Sequence, residues 1–469
     1  MWQQMTSRRQ VLSQSAVGFG WLAASALLRG TSSAAAGDSP PFPFPARARR
    51  VIFMFMKGGP SQVDTFDPKP KLDADDGKEL PFAKPRVQFA KTGVLLKSPW
   101  KFQQYGESGC PVSELFPHVA RHVDDICFLN GVHGTNAAHG GAALKLHTGS
   151  DTFVRPGMGA WVNYGLGTEN ESLPGFITIC PTLAHGGVNN WGAAFLPAEC
   201  QGVPMGVASR PASEAAVKYI ANSKLPRDAQ RLQIEMLREL AGRGAADAVA
   251  ATSEPLVEAQ LKSFELAFRM QSELPEVQDL SGETAETLSL YGIGEPVTDD
   301  FGRQCLLARR FAEAGVRFIQ VTHSDSKVQW DQHANLREGH AEKAAEVDKP
   351  IAGLLADLKR RGLLEDTLLL WGGEFGRTPV AEATANGRDH NPEGFTMWMA
   401  GGGVRGGFRY GSTDDYGYYA TENAMHIHDV HATMLALLGI DHEHLTYRYA
   451  GRNFRLTDVA GKVHDAIFA

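Results

Sequence analysis

Carboxylates and imidazoles recur along this chain just beyond stretches that read as β-strands. Asp64 follows the apolar run Val51–Met56, and His139 follows Ile126–Asn130. Asp331 and His333 follow Arg317–Thr322, Glu374 follows Thr367–Trp371, and Asp389–His390 precede Phe395–Ala400. In α/β proteins, ligands bind in the crevice outside the carboxyl ends of the strands. Such side chains, delivered there from five segments, point to a metal-assisted hydrolytic site.

The sharpest local pattern is Asp331-Gln332-His333. Residues i and i+2 of extended backbone point the same way, so both side chains can reach one ion. Asp with His is a ligand pair suited to Zn, Mn or Fe. His323 and Asp325 lie near enough in sequence to support it. Gly372-Gly373-Glu374-Phe375-Gly376-Arg377 places a carboxylate at a strand end, with glycines that let backbone approach a ligand. Arg377 there could stabilise an oxyanion or a phosphate through its fork of donors. His390 is a further candidate ligand, oriented by Asp389 or Asn391. His133 to His139 opens a helix, whose N-terminus favours developing negative charge, and makes Thr135 and His139 candidate nucleophiles or ligands. His147 reads as structural. So do His426, His428 and His431, which border the helix Asp429–Leu438 and are suited to satisfying backbone groups.

These residues need a scaffold. Short apolar runs alternate with helical patterns at 139–148, 254–270, 301–314, 335–361 and 429–438, which predicts an α/β fold with a mostly parallel sheet flanked by helices. Val112–Asp124 also has helical periodicity. Pro350 is expected to kink or split the helix around it, and Asp429 is a natural N-cap. Residues 168–230 mix short apolar runs with Gly, Pro and Asn and read as an inserted cap region shaping a pocket.

The chain has 469 residues, 43% hydrophobic and 21% charged, with a formal net charge of −7, an ordinary globular composition with no basic run to favour nucleic acid. The first 36 residues carry Arg8, Arg9 and Arg29 and no acid. Ser7-Arg8-Arg9-Gln10-Val11-Leu12, the apolar stretch Val17–Leu28 and the small residues Ser32–Ala36 have the order of a twin-arginine export signal. Residues 37–49 read as a linker and 50–469 as a single α/β domain, periplasmic or secreted, with no transmembrane segment. None of the five cysteines forms a CxxC pair, which argues against a zinc–thiolate site.

Taken as a set, the chain resembles the DUF1501 family. The stretches that carry this are Gly58-Gly59-Pro60-Ser61-Gln62 with Asp64 and Phe66-Asp67, Arg155–Gly159, Trp330–His333, Gly373–Thr378, Gly387–His390, Met399–Gly403 and the tail from His426 to Asp458. That family in turn resembles the alkaline phosphatase-like superfamily of phosphatases, sulfatases, phosphodiesterases and phosphoglycerate mutases. The resemblance implies one or two divalent ions, Zn first, with Mn, Fe or Ca as alternatives. Asp64 (or Asp67) resembles the acid after the first strand. Asp331, His333 and His390 resemble the ligands of one ion, and Glu374 the acid of the second. Phe375 stands where that second site should have a histidine. His139 falls at the nucleophile position, either as a ligand replacing the missing one or as a phosphoacceptor. The formylglycine sulfatase signature is absent, since Cys110-Pro111-Val112-Ser113-Glu114 does not fit it. The expected activity is hydrolysis of a phosphate or sulfate ester in an anionic small molecule or polysaccharide. A non-catalytic surface scaffold and a histidine phosphotransferase are the alternatives.

Overall fold

A computed structural model describes residues 44–83, 91–218, 220–222, 224–244, 254–324, 329–382 and 386–469. The expected signal at 1–36, the start of the linker and Asp325 lie outside these.

The strands that concern the site are β1 (Arg50–Met56), β2 (Thr92–Leu95), β3 (Ile126–His133), β4 (Phe176–Ile179), β5 (Val203–Met205), β6 (Phe318–His323), β7 (Thr367–Gly372), β8 (Gly376–Glu382), β9 (Arg388–Asn391), β10 (Phe395–Ala400), β11 (Phe408–Tyr410) and β12 (Met425–His426). Nine form the central sheet, in the order β11-β3-β10-β7-β1-β6-β4-β5, with β12 also on β3. Pairing is parallel except at β10, which runs antiparallel to both β3 and β7. β2, β8 and β9 form a separate antiparallel sheet.

β1 sits mid-sheet, and its sequence explains why: Arg-Val-Ile-Phe-Met-Phe-Met is buried throughout, as a strand covered on both faces must be. Alternate side chains enter opposite cores. Ile52, Met54 and Met56 join one apolar cluster, while Val51, Phe53 and Phe55 join the other. Each such side chain contributes about 1.5–3 kcal/mol of burial. Helices α3 (Asp299–Glu313) and α4 (Leu336–Arg360) cover the first face, through Cys305, Phe311, Val347 and Leu354. Helices α1 (His139–Thr148), α2 (Met158–Leu166) and α5 (Ile427–Leu437) cover the second, through Ala143, Leu146, Trp161, Val430 and Met434. All five cysteines are free and buried.

Four expectations are corrected. Val112–Asp124 is helical only in its second half: Cys110–Ser113 is a strand and Val119–Asp125 a 3-10 helix. Pro117 disfavours helical backbone at the residue before it, and Asp348 accepts from the backbone N–H of His118 and Val119, fixing the turn instead. Of the two outcomes expected at Pro350, a split does not occur: α4 runs unbroken through it, with Ile351, Leu354 and Leu355 buried in the core. Residues 168–230 are not purely a cap. Their apolar run Phe176–Ile179, with β5 alongside, joins the central sheet. Asp429 is the third residue of α5, not its N-cap: it accepts from the His426 N–H at 2.8 Å, while His426 caps the helix by accepting from the His428 N–H.

Candidate metal centre

The site forms where the ends of β1, β6 and β7 meet the first turn of α1. Beyond β1 the chain turns at Gly58 and Gly59, whose φ values are 106° and 78°. A Cβ on Gly58 would sit 2.7 Å from the Trp330 nitrogen, and one on Gly59 2.7 Å from Phe375. Glycine is what allows these three segments to touch. The Gly58 N–H then donates to both Glu374 oxygens, at 3.0 and 3.1 Å. His139 opens α1. At the other end of that helix, His428 and His431 of α5 are within 2.8 Å of the Gly149 carbonyl and 2.7 Å of the Leu146 carbonyl, respectively. Those histidines therefore satisfy backbone groups, as expected, and anchor the helix that presents His139. His147 is likewise structural, bound to the Ala143 carbonyl at 2.8 Å.

Three imidazoles surround Asp331. His139 Nε2 lies 3.0 Å from Asp331 Oδ2, and the Nε2 atoms of His333 and His390 each lie 2.9 Å from Oδ1. Each ring is held at its other nitrogen by an acceptor. Glu374 Oε1 is 2.6 Å from His139 Nδ1, Glu382 accepts from His333 Nδ1, and the Ala137 carbonyl is 2.6 Å from His390 Nδ1. A proton on each Nδ1 leaves an Nε2 lone pair pointing inward, the arrangement in which a second residue fixes the tautomer of a metal-bound histidine. His139 Nε2 is buried and makes no hydrogen bond despite its nearness to Asp331. Lone pairs facing a carboxylate need a proton or a metal cation between them. His139, Asp331 and His390 form one metal-capable group, and His333, Asp389 and His390 another, sharing His390.

The electrostatics agree. Burial alone would raise the Asp331 carboxyl, but the three imidazoles and the Arg377 guanidinium hold it well below the carboxylate range. Burial would lower His139, but Asp331 and Glu374 outweigh it and raise the ring. Asp331, with Glu382, also raises His333. His390 goes the other way: burial, with the charges of Arg377 and His139 beside it, lowers its ring.

Three expected site residues sit away from the inward-facing nitrogens. Asp64 is not brought to the cluster. Its carboxylate, fully buried, takes the Arg388 guanidinium at 2.7 and 3.1 Å and the Ser61 hydroxyl at 2.5 Å. Glu374 stands behind His139 rather than beside the inward-facing nitrogens. Arg377 is fully buried, and four of its five N–H donors go to the carbonyls of Gly58, Gly59 and Arg388 and to Asp331 Oδ1 at 2.6 Å. It contacts and orients Asp331. Phe375 forms a wall, stacking on His390 with centroids 4.4 Å apart. His133 lies apart on β3, paired with His426 of β12.

Two contributors were not found from sequence. His185 stacks on His139 at 4.8 Å and 9° from parallel, from a backbone held at φ 53°. Glu382 ends the strand paired with His390's strand. Its only sequence signal was that pairing.

The chain belongs to the DUF1501 family: the model of that family, described as a protein of unknown function, matches residues 48–468. No curated protein matches. Among solved structures, the chain is similar to the PsFucS1 sulfatase from Pseudoalteromonas sp., with 14% identity and a TM-score of 0.36 over 84% of this chain and 68% of that one. It is also similar to the lipoteichoic acid synthase LtaP from Listeria monocytogenes (10%, TM-score 0.34, 90% and 78% covered). A third similar structure is the alkaline phosphatase from the Antarctic bacterium TAB5 (11%, TM-score 0.31, 76% and 92% covered).

Proposed function

We propose that this protein is an exported hydrolase of phosphate or sulfate esters built on a single divalent ion. The observation that carries the reading is the convergence of three Nε2 atoms on Asp331, each ring anchored at Nδ1 by its own acceptor. Three imidazoles and one carboxylate suit Zn, Mn or Fe and not Ca, which prefers an all-oxygen set. One ion is proposed because the two metal-capable groups share His390.

His139, His333 and His390 would hold the ion through Nε2, and Asp331 through its carboxylate. Bound there, it supplies Lewis-acid activation of water and of an ester oxygen. The protein's own residues supply orientation. Glu374 and Glu382 keep protons on the Nδ1 atoms of His139 and His333, and Arg377 fixes Asp331. The Phe375 ring and the His185 ring both pack on His139, with centroids 4.8 Å away in each case. His139 is assigned as a ligand and not as a phosphoacceptor, since its inward nitrogen faces Asp331. Phosphate or sulfate as the ester is supported by the motif resemblance alone, and export by the Ser7–Leu12 pattern with its apolar run. Among the described residues, no helix is long and apolar enough to cross a membrane.

The test is elemental mass spectrometry of natively exported wild-type protein beside Asp331→Ala, followed by aryl phosphate and aryl sulfate assays. About one equivalent of Zn, Mn or Fe, lost in the variant together with turnover, supports the reading. A wild-type protein without stoichiometric metal after reconstitution, and inactive on both esters, would overturn it in favour of a scaffold.

A further inference from the structure

Behind Asp331 lies a buried aromatic residue whose one polar side-chain atom has its own acceptor. Trp330 is fully buried, and its indole N–H donates to His323 Nδ1 at 3.1 Å. His323 is the last residue of β6, and its Nε2 lies 2.8 Å from Glu346 Oε2 on α4. We propose that His323 and Glu346 are positioning residues of the metal centre, setting the place of Asp331 through the Trp330 indole. The proposal deepens the metal-hydrolase reading and rests on it for the identity of the centre as a metal site.

The proton on each atom of this relay follows from what each group can do. An indole nitrogen only donates. His323 Nδ1 therefore carries the lone pair, Nε2 carries the proton, and Nε2 donates to Glu346. Glu346 also accepts from Lys343 Nζ at 2.7 Å and is partly exposed, so it anchors the relay at the protein surface. Other buried indoles lack such an acceptor. The Nε1 atoms of Trp371 and Trp398 have no hydrogen-bond partner among the described residues. Packing alone thus holds a tryptophan in this core, and the acceptor given to Trp330 fixes the direction of its ring as well.

The ring is caged on its other sides. His340 meets it edge-on at 5.3 Å and 86°, and Phe116 stacks on it at 6.4 Å and 13°. Phe301 of α3 in turn packs against His323 at 5.1 Å. The Trp330 N–H donates to the Lys57 carbonyl at 3.3 Å, and a Cβ on Gly58 would lie 2.7 Å from the Trp330 nitrogen and 2.9 Å from that of Asp331. Trp330 and Asp331 are therefore consecutive residues pressed onto the turn after β1, and a rotation of the indole is passed to the next residue. Asp331 must stay within reach of three imidazoles, and a ligand constellation tolerates a displacement of only about 0.5 Å.

The test uses the whole protein with Trp330→Phe, which keeps an aromatic ring and removes the N–H, and with Glu346→Leu and Glu346→Gln at a partly exposed position. Two readouts are taken: nitrogen NMR of the histidine rings in metal-free protein, and Zn affinity by chelator competition. Trp330→Phe and Glu346→Leu are each expected to shift the imidazole signals of His139, His333 and His390 and to weaken Zn binding about tenfold or more. The double variant should lose no more than either single one, because both break the same relay. Glu346→Gln should stay near wild type, since its amide oxygen still accepts from His323. A role confined to folding would lower the unfolding midpoint and leave signals and affinity unmoved. That result, or full additivity in the double variant, would overturn the proposal. If Trp330→Phe does not fold, the two Glu346 variants decide: a difference between them supports the relay, and equal behaviour overturns it. A wild-type protein that binds no Zn would remove the metal reading separately, and the imidazole signals of the metal-free variants would still support or overturn the positioning of Asp331.

Discussion

His333 and His390 face each other through their Nε2 atoms at 3.1 Å, while both Nδ1 atoms are already engaged. Two nitrogens at that distance need a shared proton or a shared cation. Glu382, which holds His333 from behind, should therefore govern affinity without touching the ion. Glu382→Gln is expected to weaken metal binding about 10–100-fold, read by chelator competition. An unchanged affinity would remove Glu382 from the centre.

Asp64 and Arg388 are both fully buried and paired two-pronged. Removing one partner leaves the other charge uncompensated, at a cost of about 3–5 kcal/mol. Asp64→Ala should lower unfolding stability by that amount in denaturant titrations. A loss of metal without a loss of stability would instead return Asp64 to the list of ligands.

Burial lowers the pKa of several histidines, His147 and the part-buried His426 to about 4, and His340 and His431 to about 3. Each binds its proton in the unfolded chain near pH 6.5 but stays neutral when folded. The unfolded state thus binds more protons below that pH, so stability falls as the solution is acidified. The loss begins near pH 6.5 and continues down through the folded values, at up to about 1.4 kcal/mol per pH unit for each group. His139 and His333, raised in the fold, act in the opposite sense but are fewer. Denaturation midpoints between about pH 7.5 and 5 should decline, less steeply in His431→Gln. A flat profile would contradict the neutral burial of these rings.

Two glycines near the centre make a matched pair. A Cβ on Gly387 would lie 2.0 Å from the His333 carbonyl carbon, a backbone atom with nowhere to move, whereas one on Gly140 meets nothing within 4 Å. Gly387→Ala is expected to displace His333 and cost metal binding while circular dichroism stays near wild type. Gly140→Ala, inside α1, should stabilise by roughly 0.5–1 kcal/mol. Equal effects at both positions would show that the His333 loop is adaptable.

How far the sequence carried this reading depended on the range of each interaction. β1, β3 and β10 were legible because each is a short apolar run bounded by turn residues, and α1 because it ends at Thr148-Gly149. Asp331, His333, His390 and His139 were legible as chemistry placed at strand ends. The partners that decide roles were not. That Arg377 is spent on carbonyls and Asp331, and Asp64 on Arg388, depends on contacts between residues far apart in the chain. His185 was hidden because nothing local marks a histidine forced into left-handed backbone. β4 and β5 were missed because short strands among glycines and prolines look like loop.

The position of β1 also bears on the order of assembly. Its partners in the sheet, Phe318 of β6 and Thr367 of β7, leave the ribosome long after Val51 and Arg50 do. At ordinary rates of synthesis the first strand waits on the order of tens of seconds for either neighbour. Until then a strand apolar from Val51 to Met56 stands with both edges unpaired, which is an aggregation hazard. Amino-terminal fragments ending before β6 should therefore be insoluble without a chaperone.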